Sequence, residues 1–418
     1  MERLPGFRDF YPEPLPHSDV WSADARQYLF EKWRTTARRY GFREYDGPPL
    51  EPLELFTTKS GEEIVGQLYN FTDKGDRAVA LRPEMTPTLA RMVAAHERNY
   101  KKPVKWFAIP QLFRYERQQK GRLREHFQFN ADLIGETDPA ADAELIALLI
   151  DTLRSVGLTE QDFIIRLSSR NAWQEFYQGK RRTVDGGSKA NDEYEFYQAI
   201  DKLERLAPEE NEKKLSALGF SLAEVNRFIE SGKPTAELQK ILDNLAARGL
   251  REFVKVDYHV IRGLAYYTGV VFEAFDAKGE FRAIAGGGRY DNLVRLISGG
   301  KVDLPALGFG MGDVVLLELL RARGLLPKFD SPMDVYVLIE DENLRPQSLK
   351  LVQDLRAAGY AVDYPLTPAR SDKQFKRAQE LKVASTVRLE SDSYVRVRNL
   401  KSREEIVAGA NDVANHLG

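Results

Sequence analysis

The segment from His126 to Gly135, HFQFNADLIG, constrains the fold more than any other part of this sequence. Its polar and apolar side chains alternate with a period of two, which is the period of a β-strand. One face of such a strand carries the polar residues His126, Gln128, Asn130 and Asp132. The other face carries residues that can pack against helices, namely Phe127, Phe129, Ala131 and Leu133. An ordinary sheet with one solvated face gives the same alternation, so the pattern alone does not define a binding site.

The residues before this strand supply positive charge. We predict an antiparallel pair formed by Lys105 to Glu116 and His126 to Gly135, with a tip that carries Arg117, Lys120, Arg122 and Arg124. These cationic donors, with few acids beside them, can hold a triphosphate or the end of an RNA. Arg114 lies in an otherwise apolar strand, where a guanidinium needs an anionic partner such as a ligand phosphate.

The motif LRPEMT, Leu81 to Thr86, joins a predicted strand to a predicted helix. Its Glu84 and Thr86 could clasp an ammonium group. An ordinary acid and cap at a helix N-terminus is, however, the more frequent meaning of such residues.

Two further motifs bring aromatic groups and glycines. In VIRGLAYYTG, Tyr266 and Tyr267 follow Arg262 and offer flat walls with polar tips. GGGRYD, from Gly286 to Asp291, follows a predicted strand from Phe281 to Ala285. Its glycines would let the backbone approach a ligand closely.

Several classes of chemistry are disfavoured by what the sequence lacks. It contains no cysteine, and its five histidines show no paired metal-binding spacing, so we expect no disulfide and no metal site. It has no GxxxxGK[ST] loop and no early GxGxxG, so a phosphate must be held by arginine side chains. The net charge of −2 requires any RNA partner to meet a local basic patch. No leader and no apolar run of about 18 residues is present, and we expect a cytoplasmic protein.

The order of elements indicates an α+β fold with an antiparallel sheet. A long helix is predicted from Asp19 to Tyr40, and a hairpin around Lys74 to Asp76. We predict a first domain over residues 1–326 with a helical insertion at about 171–253. A small domain of alternating strands and helices is predicted over 332–418, after a linker that begins at Pro327.

Taken together, these segments resemble the class II aminoacyl-tRNA synthetases and, specifically, the histidyl-tRNA synthetase family. The similarity rests on LPGFRDF, LRPEMTPTLAR, FRYERQQKGRLREHFQ, RGLAYYTGVVFE and GGGRYD, which occur in the family's order. The resemblance implies an antiparallel class II sheet flanked by helices, with a helical insertion and a C-terminal α/β domain of the anticodon-binding type.

The resemblance also implies roles in ATP binding. Arg114 and Arg262 would bracket the α-phosphate and stabilise the charge that grows as a carboxylate attacks it. Glu116 would meet the adenine, and Arg122 the terminal phosphates. Mg²⁺ would arrive with ATP, without a metal cage of the protein's own.

For the amino acid, the resemblance implies a pocket for L-histidine. Glu84, Thr86 and Gln128 would hold the ammonium group, and Asp132 and Tyr266 would read the two imidazole nitrogens. The remaining residues implied around histidine are Arg262, Tyr267 and Tyr290. For the partner tRNA(His), Gln119 and Arg124 would face the acceptor end, and a homodimer is implied.

Three positions depart from the family pattern. Val315 lies in LGFGMGDVVLLELL where the third class II motif has an arginine that helps to hold ATP. Asp132 replaces a glutamate, and Ala265 replaces an aspartate. Val315 favours an alternative, a non-catalytic histidine-sensing regulatory subunit of ATP phosphoribosyltransferase. A plain RNA-binding scaffold is a further alternative, which would not need the set formed by Glu84, Gln128 and Asp132.

Overall fold

The computed structural model describes residues 2–12, 21–57, 65–116, 121–181, 190–261, 266–329 and 333–417. The chain forms two compact units, Met1–Leu326 and Pro327–Gly418. Within the described ranges, no helix has both the length and the apolar content that crossing a membrane requires.

The strands of the first unit supply its main sheet and two small sheets. In chain order they are β1 Phe10–Tyr11, β2 Trp21–Ser22, β3 Arg43–Glu44, β4 Leu50–Pro52, β5 Asn70–Thr72, β6 Ala78–Leu81, β7 Val104–Ala108, β8 Gln111–Phe113, β9 Glu125–Ile134, β10 Phe163–Ser169, β11 Val254–Val256, β12 Val270–Asp276, β13 Ala285–Arg289 and β14 Ala306–Gly312.

The helices of the first unit pack around the main sheet or lie in the predicted insertion. They are α1 Ala23–Arg39, α2 Leu53–Thr57, α3 Thr86–His96, α4 Ala140–Ser155, α5 Arg170–Arg181, α6 Ala190–Asp201, α7 Pro208–Ala217, α8 Leu222–Ser231, α9 Ala236–Ala247, α10 Leu293–Ile297 and α11 Asp313–Ala322, with 3-10 turns at Glu97–Asn99 and Arg251–Phe253.

The main sheet contains nine of the described strands in the order β11-β10-β12-β13-β14-β9-β7-β3, with β8 paired to β9. The pairs β10–β11 and β3–β7 are parallel, and the other pairs are antiparallel. The predicted α+β class is therefore confirmed. The predicted hairpin is also confirmed, because β5 and β6 pair antiparallel on either side of Lys74 to Asp76.

Helix α1 covers the apolar face of β9. The Ser22 hydroxyl caps the helix by accepting a hydrogen bond from the Ala25 backbone N–H at 3.1 Å. Gly41, with φ of +77°, follows the end of the helix in a conformation that favours glycine. The buried Trp33 ring stacks on Phe129 with centroids 5.7 Å apart. The apolar half of the period-two pattern thus lies where the sequence predicts.

One strand prediction is wrong. We expected a strand from Phe281 to Ala285 and glycines after it, whereas β13 begins at Ala285 and contains all three glycines of GGGRYD. The reason is close packing between strands. A Cβ on Gly287 would lie 2.3 Å from the carbonyl oxygen of Gly308 on β14. Glycine is poor in strands in general but is required where backbones approach this closely.

The second unit is a five-stranded sheet with two longer helices. Its elements are β15 Val335–Leu338, α12 Arg345–Ala357, β16 Val362–Asp363, α13 Ser371–Glu380, β17 Ser385–Leu389, β18 Tyr394–Asn399 and β19 Glu405–Gly409, with 3-10 turns at Glu342–Leu344 and Val413–His416. The strand order is β16-β15-β17-β18-β19. Val337, Leu355 and Val395 belong to its core.

A buried ion pair fixes β13 against α4. Arg289 Nε donates to the Asp142 carboxylate at 3.0 Å, and its Nη atoms donate to the carbonyl oxygens of Glu136 and Asp138 at 3.1 Å each. Asp142 is fully buried and Arg289 is 3% exposed. Burial raises the pKa of the Asp142 carboxyl, and the Arg289 charge acts in the opposite direction.

We expect Arg289→Ala to lower the free energy of unfolding by about 3–5 kcal/mol, because it leaves Asp142 buried without its partner. Urea unfolding followed by tryptophan fluorescence measures this, since all four tryptophans lie in the first unit. The control is Arg295→Ala, whose exposed pair with Asp303 should contribute less than about 1 kcal/mol. Equal effects of the two variants would contradict the role given to Arg289.

Candidate active site

Two adjoining cavities lie on the polar face of the main sheet. The inner cavity, about 60 Å³, is lined by Glu84, Thr86, Arg114, Gln128, Asn130, Asp132, Tyr266, Tyr267, Gly286, Tyr290, Gly308, Phe309 and Gly310. The outer cavity, about 260 Å³, is lined by Arg114, Glu116, Gly121, Arg122, Leu123, His126, Gln128, Glu273, Ala283, Ile284, Ala285, Gly286, Gly310, Gly312, Val314 and Val315. Arg114, Gln128, Gly286 and Gly310 line both cavities.

The polar row of β9 lies opposite a row of glycines on β14. Asp132 pairs with Gly308, Asn130 with Gly310, and Gln128 with Gly312. A Cβ on Gly308 would lie 1.9 Å from the Asp132 carboxylate, a distance that no real contact allows. The glycines of LGFGMG therefore leave the space that the polar side chains occupy.

Asp132 is a buried acid that lines the inner cavity. It is 4% exposed, and its carboxylate accepts a hydrogen bond from the Tyr290 hydroxyl at 2.6 Å. Burial raises the pKa of Asp132 to about 7, although the hydrogen bond from Tyr290 favours the charged form. Near neutral pH this carboxyl can therefore either accept or donate a proton in a hydrogen bond.

A second acid, Glu84, lies at the other side of the inner cavity. It precedes α3 and is 4% exposed, and its carboxylate accepts a hydrogen bond from the Tyr266 hydroxyl at 2.7 Å. Burial, and then the Glu84 charge, raise the pKa of Tyr266, so the phenol keeps its proton. The Tyr266 ring lies 5.1 Å from the Tyr267 ring and 6.1 Å from the Tyr290 ring. Two acids and an aromatic wall thus enclose a small polar space.

Arg114 stands between the two cavities. Its Nε donates to the carbonyl oxygen of Pro83 at 2.9 Å, which ties the hairpin to the LRPEMT motif. Strand β8 ends at Phe113, so Arg114 follows the strand and is only half-buried. In the outer cavity, Arg122 pairs with Glu116 at 3.1 Å, and the Glu116 side chain is 9% exposed.

Not all of the site residues predicted from the sequence are among the described residues that line the two cavities. Arg124 stacks its guanidinium 4.1 Å from the Tyr115 ring centre, and it is not among the described residues that line the two cavities. Gln119 and Arg262 lie outside the described residues. The convergence of Arg114 and Arg262 on one phosphate therefore stays a prediction.

Some residues of the outer cavity were not assigned a function from the sequence. His126 lines this cavity, and burial, followed by the charges of Arg114 and Arg8, lowers its pKa to about 3. Its imidazole is therefore neutral at physiological pH. Glu273, on β12, adds a carboxylate to the same cavity. The alternation of β9 could have indicated His126, and Glu273 ends the motif RGLAYYTGVVFE, although neither residue was given a role there.

The N-terminal motif LPGFRDF has a structural role that the sequence did not reveal. Arg8 is paired through Nε with Glu125 at 2.6 Å and through Nη1 with Asp313 at 2.8 Å, and all three side chains are buried. Glu125 also accepts from Gln111 Nε2 at 2.9 Å, and Asp313 accepts from the Phe127 backbone N–H at 3.0 Å. Arg8 thereby links the start of β9 to the start of α11.

The second unit has a basic cavity of about 490 Å³, lined by Phe375, Gln379, Lys382, Val383, Arg398, Leu400, Lys401 and Arg403. The Arg398 guanidinium lies 5.2 Å from the Phe375 ring centre. On the α13 side, Arg370 and Arg377 pair with the nearby acids Asp372 and Glu380 at 3.1 and 3.7 Å. The cavity around Phe375 thus combines an aromatic ring with four basic side chains, of which Arg398 is paired with Glu405 at 3.5 Å.

We expect the Asp132→Asn variant to gain stability relative to the wild type as pH rises from 5 to 8. The folded state holds the Asp132 proton up to a pKa of about 7, and the unfolded chain loses it near the ordinary value of 3.8. Between these values the folded state binds more protons, so the stability of the wild type falls as pH rises. The difference should reach about 2–4 kcal/mol in urea unfolding. The exposed control Asp303→Asn should show no such trend, and a flat difference for Asp132→Asn would refute the raised pKa.

Comparison with known proteins identifies the family. The family model described as "Histidyl-tRNA synthetase" matches residues 18–313, and "Anticodon binding domain" matches residues 334–417. A protein of Opitutus terrae named "Histidine--tRNA ligase" is 48% identical over 91% of this chain and 88% of its own length. The "Histidine--tRNA ligase, chloroplastic/mitochondrial" of Arabidopsis thaliana is 36% identical over 98% of this chain and 85% of its own.

Solved structures show the same fold. The histidyl-tRNA synthetase from Nostoc superposes with a TM-score of 0.76 at 23% identity and covers 97% of both chains. A protein from Bacillus halodurans described as "ATP phosphoribosyltransferase regulatory subunit/histidyl-tRNA synthetase" gives 0.71 at 23% identity, covering 90% of this chain and 96% of its own. The match to the family model and the identity to these relatives place the chain in the histidyl-tRNA synthetase family.

Proposed function

We propose that this chain is a histidine–tRNA ligase, which joins histidine to AMP at the expense of ATP and then transfers the histidyl group to the 3′ end of tRNA(His). The first unit would be catalytic and the second would bind the anticodon. The family's curated relatives are named for this activity. A homodimer and a cytoplasmic location belong to the same proposal.

The observation that carries the proposal is the position of Arg114. It lines both the small inner cavity and the larger outer cavity. If histidine occupies the first and ATP the second, the carboxylate of histidine and the α-phosphate meet beside this guanidinium. A fixed cation at that point stabilises the negative charge that develops on the phosphate. The proposal adds Arg262 as the second such cation.

Selection of histidine follows from the chemistry of the inner cavity. Asp132 and Tyr266 offer an acceptor and a hydroxyl to the two imidazole nitrogens, and Glu84, Thr86 and Gln128 receive the ammonium group. Tyr267 and Tyr290 line the space beside them. An analogue without a ring nitrogen would leave buried polar groups unpaired. Sites of this kind discriminate against such an analogue by roughly 10⁴-fold or more.

The reaction needs no nucleophilic side chain. A carboxylate oxygen of histidine attacks the α-phosphorus, the bond from that phosphorus to the bridging oxygen breaks, and pyrophosphate leaves. In the second step, a hydroxyl of the terminal ribose of tRNA attacks the acyl carbon, and AMP leaves with the bonding electrons. The arginines bind and orient the phosphates, and the closed inner cavity holds the carboxylate in line.

Mg²⁺ enters the proposal as a companion of ATP. Within the described ranges, no three His, Asp or Glu side chains lie close enough together to hold a metal ion. Glu273 lines the outer cavity, where its carboxylate could contribute to holding a magnesium ion that ATP carries. The ion would neutralise part of the phosphate charge.

The tRNA would meet both units. At the first unit, Gln119 and Arg124 of the hairpin are proposed to face the acceptor end. At the second unit, the basic cavity around Phe375 combines cations with an aromatic ring, which suits a stacked base and its phosphate.

Val315 supports a second candidate function, a histidine sensor without catalysis. This residue lines the outer cavity where an arginine of the third class II motif is expected. A sensor would bind histidine in the same inner cavity but would have no use for Arg114, Glu116 and Arg122 around the outer cavity.

Histidine-dependent exchange of pyrophosphate into ATP distinguishes the two functions. We expect exchange with the wild type, because the first step of the ligase reaction is reversible. Folded protein that binds histidine but gives no exchange would exclude the ligase and favour the sensor. Sedimentation at micromolar concentration checks the proposed dimer, and a monomer would contradict it.

Substitution of the two proposed phosphate-binding arginines should slow the chemical step. We expect Arg114→Ala and Arg262→Ala each to lower kcat for exchange by about 10²–10³-fold while histidine binding changes little. The control is Arg98→Ala, since that side chain is 94% exposed. An unchanged kcat for either variant would show that its arginine has been given the wrong role.

A further inference from the structure

The outer cavity lacks the arginine that the third class II motif brings to ATP. Val315 lies on the first turn of α11 and lines both the outer cavity and a neighbouring cavity of about 590 Å³. Gly121, Arg122, Glu273 and Ala283 also line both cavities, so the two cavities adjoin at these residues. A bound triphosphate would extend through this region, and Val315 cannot neutralise it.

Arg282 reaches this region from a different segment. It lies in the connection between β12 and β13 and lines the 590 Å³ cavity together with Arg122 and Val315. A Cβ built on Gly121 would lie 3.4 Å from Val315 Cγ2 and 3.9 Å from Arg282 Cδ. The Val315 and Arg282 side chains therefore both approach the same point of the hairpin tip. Arg282 is exposed, as a residue at the mouth of a cavity should be.

The connection that carries Arg282 is anchored to the sheet floor. The backbone N–H of Ile284 donates to the carbonyl oxygen of Ala274 on β12 at 2.8 Å. Strand β13 begins at the next residue, Ala285. The arginine is thus held two residues before an anchored position, and it does not depend on a long flexible loop.

Cations and carboxylates both surround Arg282, since Arg122 and Arg205 line its cavity together with Asp201, Glu204 and Glu273. Burial and then the charge of Arg122 lower the pKa of Arg282, with a smaller effect of Arg205, whereas Glu116 raises it. Asp201 and Glu204 also line this cavity, but Glu204 is paired with Arg166 at 3.0 Å. Three arginines, Arg122, Arg205 and Arg282, line the same cavity. Guanidinium groups that converge in this way are suited to the charged end of a polyphosphate.

We propose that Arg282 takes the place of the missing third-motif arginine and, with Arg122, holds the terminal phosphates of ATP and of the pyrophosphate product. This inference rests on the proposed function, since it assigns a residue to the same nucleotide. It makes Val315 compatible with catalysis, because the cation is supplied from the β12–β13 connection and not from α11.

The test measures how the Arg282→Ala variant binds ATP, pyrophosphate and AMP, by calorimetry and by exchange kinetics. We expect the Kd for ATP and the KM for pyrophosphate to rise about 10–100-fold, as for the loss of a charged hydrogen-bonded contact. Binding of AMP and the KM for histidine should not change, because neither ligand has terminal phosphates. A merely structural role would weaken AMP binding as well.

Two further variants sharpen the test. Lys278→Ala removes an exposed cation from the same connection and should leave ATP binding unchanged. Val315→Arg, introduced into the Arg282→Ala protein, restores a cation at the motif position and should recover part of the lost ATP affinity. Arg282→Lys should retain more affinity than Arg282→Ala.

The outcomes separate this inference from the proposed function. Suppose that the wild type catalyses exchange. A normal Kd for ATP in Arg282→Ala, or a loss of AMP binding as large as the loss of ATP binding, then overturns only the role of Arg282. ATP binding that depends on Arg282 in a wild type without histidine-dependent exchange supports the Arg282 site and overturns the ligase function.

Discussion

The pairing of a polar strand with a glycine strand is the constraint on which the site depends. Each polar residue of β9 from Gln128 to Asp132 faces a glycine on β14. Without Cβ atoms on β14, the carboxylate and amide groups can lie over the sheet at positions that a neighbouring side chain would otherwise fill. The same absence lets β13 approach β14 so closely that Gly287 cannot carry a side chain either. The glycines of β13 and β14 therefore contribute backbone to the lining of both cavities, beside the polar side chains of β9.

The buried cluster of Arg8, Glu125 and Asp313 fixes β9 and α11 relative to each other beside the outer cavity. Its two acids begin β9 and α11, and these elements supply His126 on one side of the cavity and Val315 on the other. Removing Arg8 would leave Glu125 and Asp313 as uncompensated neighbouring charges, a costly arrangement in a buried site. Asp313 also sits in the first turn of α11, where a negative charge is favourable. The N-terminal segment thus supports the outer cavity without lining it.

Local patterns in the sequence group residues that line the two cavities, but they do not reveal what depends on packing between distant strands. The alternation of β9 was sufficient to place Gln128 and Asp132 on one face, because strand periodicity is a local property. The extent of β13 was wrong because a run of glycines has low intrinsic β-propensity, and its reason to be a strand lies on β14. Arg8 bonds to residues 117 and 305 positions away in the chain, and Arg282 lines a cavity with Arg122 and Val315, so only the folded chain shows these neighbours.

The structure adds to what the sequence alone implies about the short side chain of Asp132 in the inner cavity. Asp132 is shorter by a methylene than the glutamate usual in the family, which from sequence alone implies a reduced reach towards the ligand. In the structure its carboxylate is held by Tyr290, whose own ring borders the same cavity. The hydrogen bond from Tyr290 therefore orients the Asp132 carboxylate where it lines the cavity. Because the Asp132 charge is poorly solvated there, a hydrogen bond from a ligand donor stabilises it more than the same hydrogen bond would in water. The cavity is therefore most favourable for a ligand that brings an N–H to this one carboxylate.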